Sequence, residues 1–395
     1  MRVLIVGRQF DRGAIETLQR ELACNLNKFG VKVITLNTDA NPRKENAIKS
    51  NFINNGVSKV YCLDLPLNPN LFQIIGGIFR LKNIISKEKI DIIETCSESN
   101  TILAILACLG TNINQVIGLH KTFNRKKGNS IFIKELIFLF LTKIRKKIYF
   151  YAVSDWTQKA WINFSNCKFD KVKVISNSTN IKLKLKNNNE FKENFFSNLN
   201  IPKDSKLVLS IGRICYHKRQ DFIIESLAPI IKQENIFIIF VGEYDLEMNE
   251  SFSTIRRINY LIQKFDIESN IRFLGFRDDI KEILSISDLF VHSTLTEAFG
   301  LVLLEALRAG LPIVTSKVEA IPEIVPEPDN FLVDFDDLIG FRKCVIKSLH
   351  RSNETKKEIS NRNIQYANNR KFTSIERTRQ MFNYFKLILE NNKNF

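Results

Sequence analysis

Two glutamates, Glu297 and Glu305, flank the apolar run in "TEAFGLVLLEALRAG", residues 296–310. Gly300 lies between them, in a turn that leads into a helix ending at Gly310. The first N–H groups of a helix have no partner inside it, and the helix dipole favours an anion there. The backbone of Phe299, Gly300 and Leu301 can therefore face a phosphate, and Gly300 lets a ligand come close to the chain. Glu305, just over one turn into the helix, suits a vicinal diol such as ribose. Glu297, in the turn, reaches hydroxyls at the opposite end of the same ligand. A diphosphate with hydroxyls at both ends describes a nucleotide sugar.

A second cluster matches this one in chemistry. In "SIGRICYHKRQDFIIESL", residues 210–227, Gly212 ends an apolar run and Arg213 and Lys218 follow before a helical pattern. Arg grips a phosphate bidentately and Lys acts as a mobile point charge. Arg219, next to Lys218, is placed to share that role. The alternative is a solvated basic turn. His120 ends the run "QVIGLH", residues 115–120, and is open to two readings, an ordinary imidazole or a ligand contact.

These residues need elements to hold them. Short Val/Ile-rich runs alternate with longer amphipathic segments, at 2–7, 31–36, 91–95, 115–120, 149–154 and 172–176. A polar, Asn/Lys-rich stretch follows at 182–206, and then a second series at 206–212, 236–242, 271–275, 288–293, 312–316 and 331–335. Apolar runs alternating with helices indicate parallel sheets covered on both faces. The chain thus reads as two doubly wound α/β domains, with two closing helices over 353–390. Ligands of such sheets bind beyond the carboxyl ends of the strands, where all the residues above lie.

Composition removes other classes. A chain of 395 residues exceeds one ordinary core. Seven cysteines, with no C-x-x-C pair, read as reduced thiols of a cytoplasmic protein. The apolar N-terminal run reads as a buried strand, not a signal peptide. The longest apolar stretch, 131–141, is too short to span a bilayer and contains Lys134 and Glu135. The net charge of +16 fits either an anionic partner or a compositional bias toward Lys, Asn and Ile. A nucleic-acid binder would show basic and aromatic residues interleaved on a recognisable module, which is absent.

Taken together, residues 297–305 form an E-x7-E motif, followed by "LPIVTSKVEAIPEIV", residues 311–325. With the Gly212–Arg213–Lys218 turn, this resembles the retaining glycosyltransferases of family 4, the group 1 glycosyl transferases. The resemblance spans nearly the whole chain and is strongest over 206–335. It implies the GT-B fold, two Rossmann-like domains facing across a cleft. The N-terminal domain, 1–182, would bind the acceptor, and the C-terminal domain, 195–370, the nucleotide sugar. The segment 371–395 would pack back toward the first domain.

The resemblance also implies roles. Arg213 and Lys218 would stabilise the departing diphosphate, with Glu297 and His120 at the transferred sugar as the other catalytic residues. Gly13, Gly212, Arg277, Phe299, Gly300, Leu301 and Glu305 would bind the donor. Arg277 is open to two readings, stacking on the base or starting a helix. No metal or other cofactor is implied, because the cations do a divalent ion's work; "DFD" at 334–336 is read as helix-start acids. Two departures stand out: Ala14 replaces the second glycine of a G-G-x-E turn, and Asn177-Ser178-Thr179-Asn180 replaces N-G-V-D.

The acceptor expected is a saccharide or a lipid-linked sugar, as in cell-surface polysaccharide or glycolipid synthesis. The segment 125–147, basic at both ends, is read as a helix able to lie on an anionic membrane surface from the cytoplasmic side. Its alternative is a core-packed helix. Two further readings stand beside this one: a nucleotide-sugar epimerase on the same fold, and a basic nucleic-acid binder.

Overall fold

The structure is a computed structural model that describes residues 1–8, 10, 13–39, 49–66, 68–121, 129–179, 189–244, 249–370 and 372–391. The chain divides into two units, Met1–Ser178 with Phe372–Phe395, and Thr179–Lys371.

The first unit holds a parallel sheet of seven strands in the order β3-β2-β1-β4-β5-β6-β7. They are β1 (Arg2–Gly7), β2 (Lys32–Asp39), β3 (Lys59–Leu65), β4 (Ile92–Thr95), β5 (Asn114–Leu119), β6 (Ile148–Ala152) and β7 (Val172–Val174). Crossover helices are α1 (Ala14–Leu26), α2 (Leu71–Glu88), α3 (Glu98–Ala107), α4 (Asn129–Ile144) and α5 (Asp155–Ser165). The inner strands are continuous apolar runs because both faces are covered. Leu4, Val6 and Ile34 pack against Leu81 and Ile84 of α2 on one face. On the other, Val3, Ile5 and Val33 pack against Leu22 and Leu26 of α1.

The second unit repeats the plan. It has α6 (Asn189–Asn198), β8 (Lys206–Ile211), α7 (Gln220–Leu227), β9 (Ile236–Val241), α8 (Asn249–Phe265) and β10 (Ile271–Phe273). Then come α9 (Ile280–Ile286), β11 (Leu289–His292), α10 (Leu301–Arg308), β12 (Ile313–Ser316) and α11 (Ile321–Ile324). β13 (Phe331–Val333), α12 (Leu338–Leu349) and α13 (Asn353–Asn369) complete it. The sheet runs β10-β9-β8-β11-β12-β13, all parallel.

In both sheets the order reverses direction beside the first strand, between β1 and β4 and between β8 and β11. That reversal leaves a crevice at the carboxyl ends of the two strands, the general ligand position of this architecture. These are the two parallel α/β sheets of the GT-B fold. The sheet also holds a strand that the apolar-run reading passes over. β3, "KVYCLDL", sits at the edge, where only Leu63 and Leu65 are buried, so its alternation is broken by polar residues.

The last helix, α14 (Ser374–Asn391), belongs to the first unit, where Met381, Tyr384, Phe385 and Ile388 complete the α1 side of the core. All seven cysteines are free thiols.

Candidate functional site

In the second unit the turns after β8 and β11 meet. Gly212 leaves β8 with φ of 154°, and a Cβ on neighbouring Gly242 would lie 2.1 Å from the Gly212 carbonyl oxygen. Glycine at 242 thus lets two strand ends touch. The turn continues through a short 3-10 segment, Tyr216–Lys218. The strand-end loop of β11 is tied to it. Ser293 Oγ donates to the carbonyls of Lys218 (3.0 Å) and Arg219 (2.7 Å), and Thr294 Oγ1 donates to that of His217 (3.0 Å).

This tether places Lys218 Nζ 2.6 Å from Glu297 Oε2. Glu297 is further held by its backbone N–H, which donates to Glu319 Oε2 at 2.7 Å. His292, only 1% exposed, brings Nε2 to 3.6 Å from the same Glu297 oxygen, too far for a normal hydrogen bond. Burial works to raise the Glu297 pKa, but the Lys218 ammonium outweighs it and holds the carboxyl well below its usual range. Burial, with Lys218 adding to it, pushes the His292 imidazole down, so it stays neutral.

Gly300 precedes α10 at φ +88°, a left-handed conformation. A Cβ there would meet Leu303 Cδ1 at 2.8 Å. Glycine is needed by the backbone itself, in addition to any ligand. Phe299 is buried, and its N–H turns back on Glu297 Oε1 at 3.4 Å. Among the described residues, the N–H groups of Gly300 and Leu301 have no acceptor, as expected at a helix start. Glu305 sits inside α10 and accepts from Thr179 Oγ1 at 3.4 Å; Arg308 donates to the Thr179 carbonyl. Thr179 is the third residue of the stretch that departs from N-G-V-D, and the fourth, Asn180, lies outside the described residues.

The cations divide. Arg213 is exposed in the turn after Gly212. Arg219 is directed elsewhere: it donates to Asp336 Oδ1 (2.8 Å) and the Phe335 carbonyl (2.7 Å) and lies 4.8 Å above the Phe222 ring. It is also left-handed, with φ +46°, a conformation that glycine adopts more readily than arginine. Asp336 of "DFD" is thereby the partner of Arg219. Arg277 forks onto Asp279, with Nε at 2.8 Å from Oδ1, at the start of α9.

The first unit carries Gly13 and His120. Gly13 has φ +116° and starts α1, while Ala14 is already the first helical residue. Alanine therefore costs nothing at 14, since only the residue before it needs positive φ. His120 follows β5 and lines a cavity of about 190 Å³ with Ile15, Ser97, Lys121 and Phe138. Its Nε2 lies 3.3 Å from Tyr151 Oη. Burial, with Arg377 nearby, pushes its pKa down to about 3, so the imidazole is neutral.

His292, Glu319 and Gly242 were not singled out in the sequence. His292 ends a strand and Gly242 follows one, positions that could have flagged them; Glu319 carries no local signal.

Residues 191–369 match the family described as Glycosyl transferases group 1, and residues 15–183 match Glycosyltransferase Family 4. The chain belongs to this glycosyltransferase family. Among its relatives is an Escherichia coli UDP-Gal:alpha-D-GlcNAc-diphosphoundecaprenol alpha-1,3-galactosyltransferase, 26% identical, with 77% of this chain and 78% of that protein covered. A Methanocaldococcus jannaschii glycosyltransferase is 27% identical over 50% of this chain. The N-acetyl-alpha-D-glucosaminyl L-malate synthase of Bacillus anthracis is 30% identical over 38% of it. The matched regions span 53% and 37% of those last two proteins. Among solved structures, Anabaena HepE in complex with UDP and glucose has a TM-score of 0.81 at 19% identity, with 98% of this glycosyltransferase and 99% of that chain covered.

Proposed function

We propose that this glycosyltransferase moves a sugar from a nucleoside-diphosphate sugar to a saccharide or lipid-linked acceptor with retention of configuration and without a divalent metal. The 2.6 Å pairing of Lys218 with Glu297 carries this reading, because it joins the two motif-bearing turns into one site. The diphosphate lies between Arg213, Lys218 and the open N–H groups of Gly300 and Leu301. Glu305 takes the ribose hydroxyls. Glu297 takes hydroxyls of the transferred sugar, and His120, after β5 in the first unit, is assigned as a sugar contact. Arg277 stays with Asp279 and does not need to stack.

Mechanistically, the charge that builds on the leaving diphosphate is met by cations and N–H groups already in place. With no carboxylate nucleophile assigned, the acceptor attacks on the side the diphosphate leaves, and a leaving oxygen takes the acceptor's proton. The rate then comes from positioning and charge stabilisation. Support for the donor and acceptor classes comes from the names of the Escherichia coli and Anabaena proteins.

The test is thermal stabilisation by UDP, GDP and ADP, with and without EDTA. A nucleotide at a hundred times its dissociation constant should add about 2.7 kcal/mol. The shift should favour one base, survive EDTA and weaken in Glu305→Ala. No response to any of the three would overturn the reading, and donor turnover without acceptor would favour an epimerase.

The acceptor side extends to a membrane surface. Arg125, Lys126 and Lys127 lie outside the described residues, but α4 exposes Leu136, Ile137, Phe140 and Ile144 beside Lys143 and Lys146. Among the described residues no helix is long and apolar enough to cross a membrane. An outward apolar face with cations suits attachment to anionic lipid. Sedimentation with vesicles should depend on anionic lipid and fall in Phe140→Asp; equal sedimentation with neutral vesicles would sink the idea.

A further inference from the structure

Next to His120 the first unit buries a polar network. Glu94, on β4, is fully buried. It accepts from Tyr151 Oη (2.8 Å), Gln19 Nε2 (2.8 Å) and Cys96 Sγ (3.0 Å). Tyr151 is on β6, and β5 lies between these two strands. Tyr151 is register partner to Gly118 of β5. A Cβ at Gly118 would stand 2.5 Å from Tyr151 Oη. The missing side chain is what lets the phenol cross the middle strand to the carboxylate.

The crossing has a consequence for protons. A phenol has one hydrogen to give and two lone pairs to receive. Its hydrogen goes to the buried Glu94 carboxylate, the strongest acceptor within reach. The phenol oxygen then accepts from Arg377 Nη2, 3.4 Å away on α14, and from His120 Nε2 at 3.3 Å, while Cys96 Sγ, 3.2 Å from the same oxygen, gives its own hydrogen to Glu94. The tautomer of an imidazole is set by the bond one nitrogen makes. Burial keeps Tyr151 protonated and His120 neutral, as this requires.

We infer that Glu94 and Tyr151 are positioning residues that hold His120 as its Nε2–H tautomer and so leave Nδ1 as a hydrogen-bond acceptor for the ligand. Among the described residues Nδ1 has no partner, and His120 lines the cavity. His120 therefore selects a ligand hydroxyl that donates. This rests on the reading above that His120 meets the transferred sugar.

The experiment uses the full chain with its four histidines labelled with nitrogen-15. Two-bond proton–nitrogen spectra distinguish the tautomers, and His120→Asn identifies the signals of His120. The expected result is Nε2–H in the wild type and a mixed or Nδ1–H population in Tyr151→Phe. With donor and acceptor, Tyr151→Phe should lower kcat about threefold to tenfold, the range of one neutral hydrogen bond, with the donor KM nearly unchanged. Nδ1–H in the wild type, or an unchanged tautomer in Tyr151→Phe, overturns the inference. The wild-type spectrum decides even if that variant fails to fold. The nucleotide shifts that test the donor site use Glu305 and not His120. A nucleotide response with the wrong tautomer removes this inference alone. The right tautomer with no nucleotide response upholds the proton arrangement and overturns the sugar-transfer reading.

Discussion

At the residue scale, Lys218 and Glu297 each depend on the other. The Glu297 carboxylate, only 14% exposed, keeps its charge because an ammonium stands 2.6 Å away. Removing the cation leaves that charge unpaired, which costs about 2–3 kcal/mol of stability. Lys218→Ala should therefore lower Tm, measured by calorimetry, and reduce kcat about a hundredfold, the usual effect of losing one donor to developing charge. The pH dependence has a definite sign. The folded pKa of Glu297 is depressed, so its contribution to stability is present above the ordinary carboxylate pKa. It is lost as pH falls toward the depressed value. Acid unfolding followed by circular dichroism should show a smaller loss of stability below about pH 4 in Glu297→Gln than in the wild type.

Elements decide which residues can stand where. Gly300 is fixed by φ +88° and by Leu303 Cδ1 at 2.8 Å from a would-be Cβ. Gly300→Ala should cost about 1–2 kcal/mol, read from urea midpoints, whether or not a nucleotide is bound. Arg219 offers the converse experiment, since it already sits at φ +46°. Arg219→Gly relieves that conformation while losing the Asp336 pair, and the two offset to within about 1 kcal/mol. Arg219→Ala keeps the strained backbone and loses the pair, so it should be the less stable of the two. An equal Tm for both would show that backbone conformation is not what sets the cost. The strands flanking these turns were legible because Val/Ile runs buried on both faces leave an unbroken signal. The edge strand β3 was not, because a half-exposed strand admits charges that break its pattern.

For the molecule as a whole, the first unit is not continuous in sequence. α14 returns from the far end of the chain to place Met381, Phe385 and Ile388 in the core with Leu22 and Leu26. Arg377 of the same helix donates to the Leu18 carbonyl at 3.2 Å. Ending the chain after Lys371 should expose that apolar face and yield aggregated protein, seen by size-exclusion chromatography. Soluble, cooperatively melting protein from that truncation would show that α14 is dispensable.

The family, the strands of both sheets other than edge strand β3, and the strand-to-helix turns were determined by the sequence alone. Each rests on local features: apolar runs, glycines at turns, and the order of charged residues after strands. The tertiary structure alone decided the pairings across long separations. Lys218 meets Glu297, Arg219 leaves the cations for Asp336, His292 and Glu319 brace Glu297, and Tyr151 passes over Gly118 to reach Glu94. Local pattern cannot carry these, because a hydrogen bond depends on where two side chains end in space. In a parallel sheet, that is set by strand order and register rather than by neighbours along the chain.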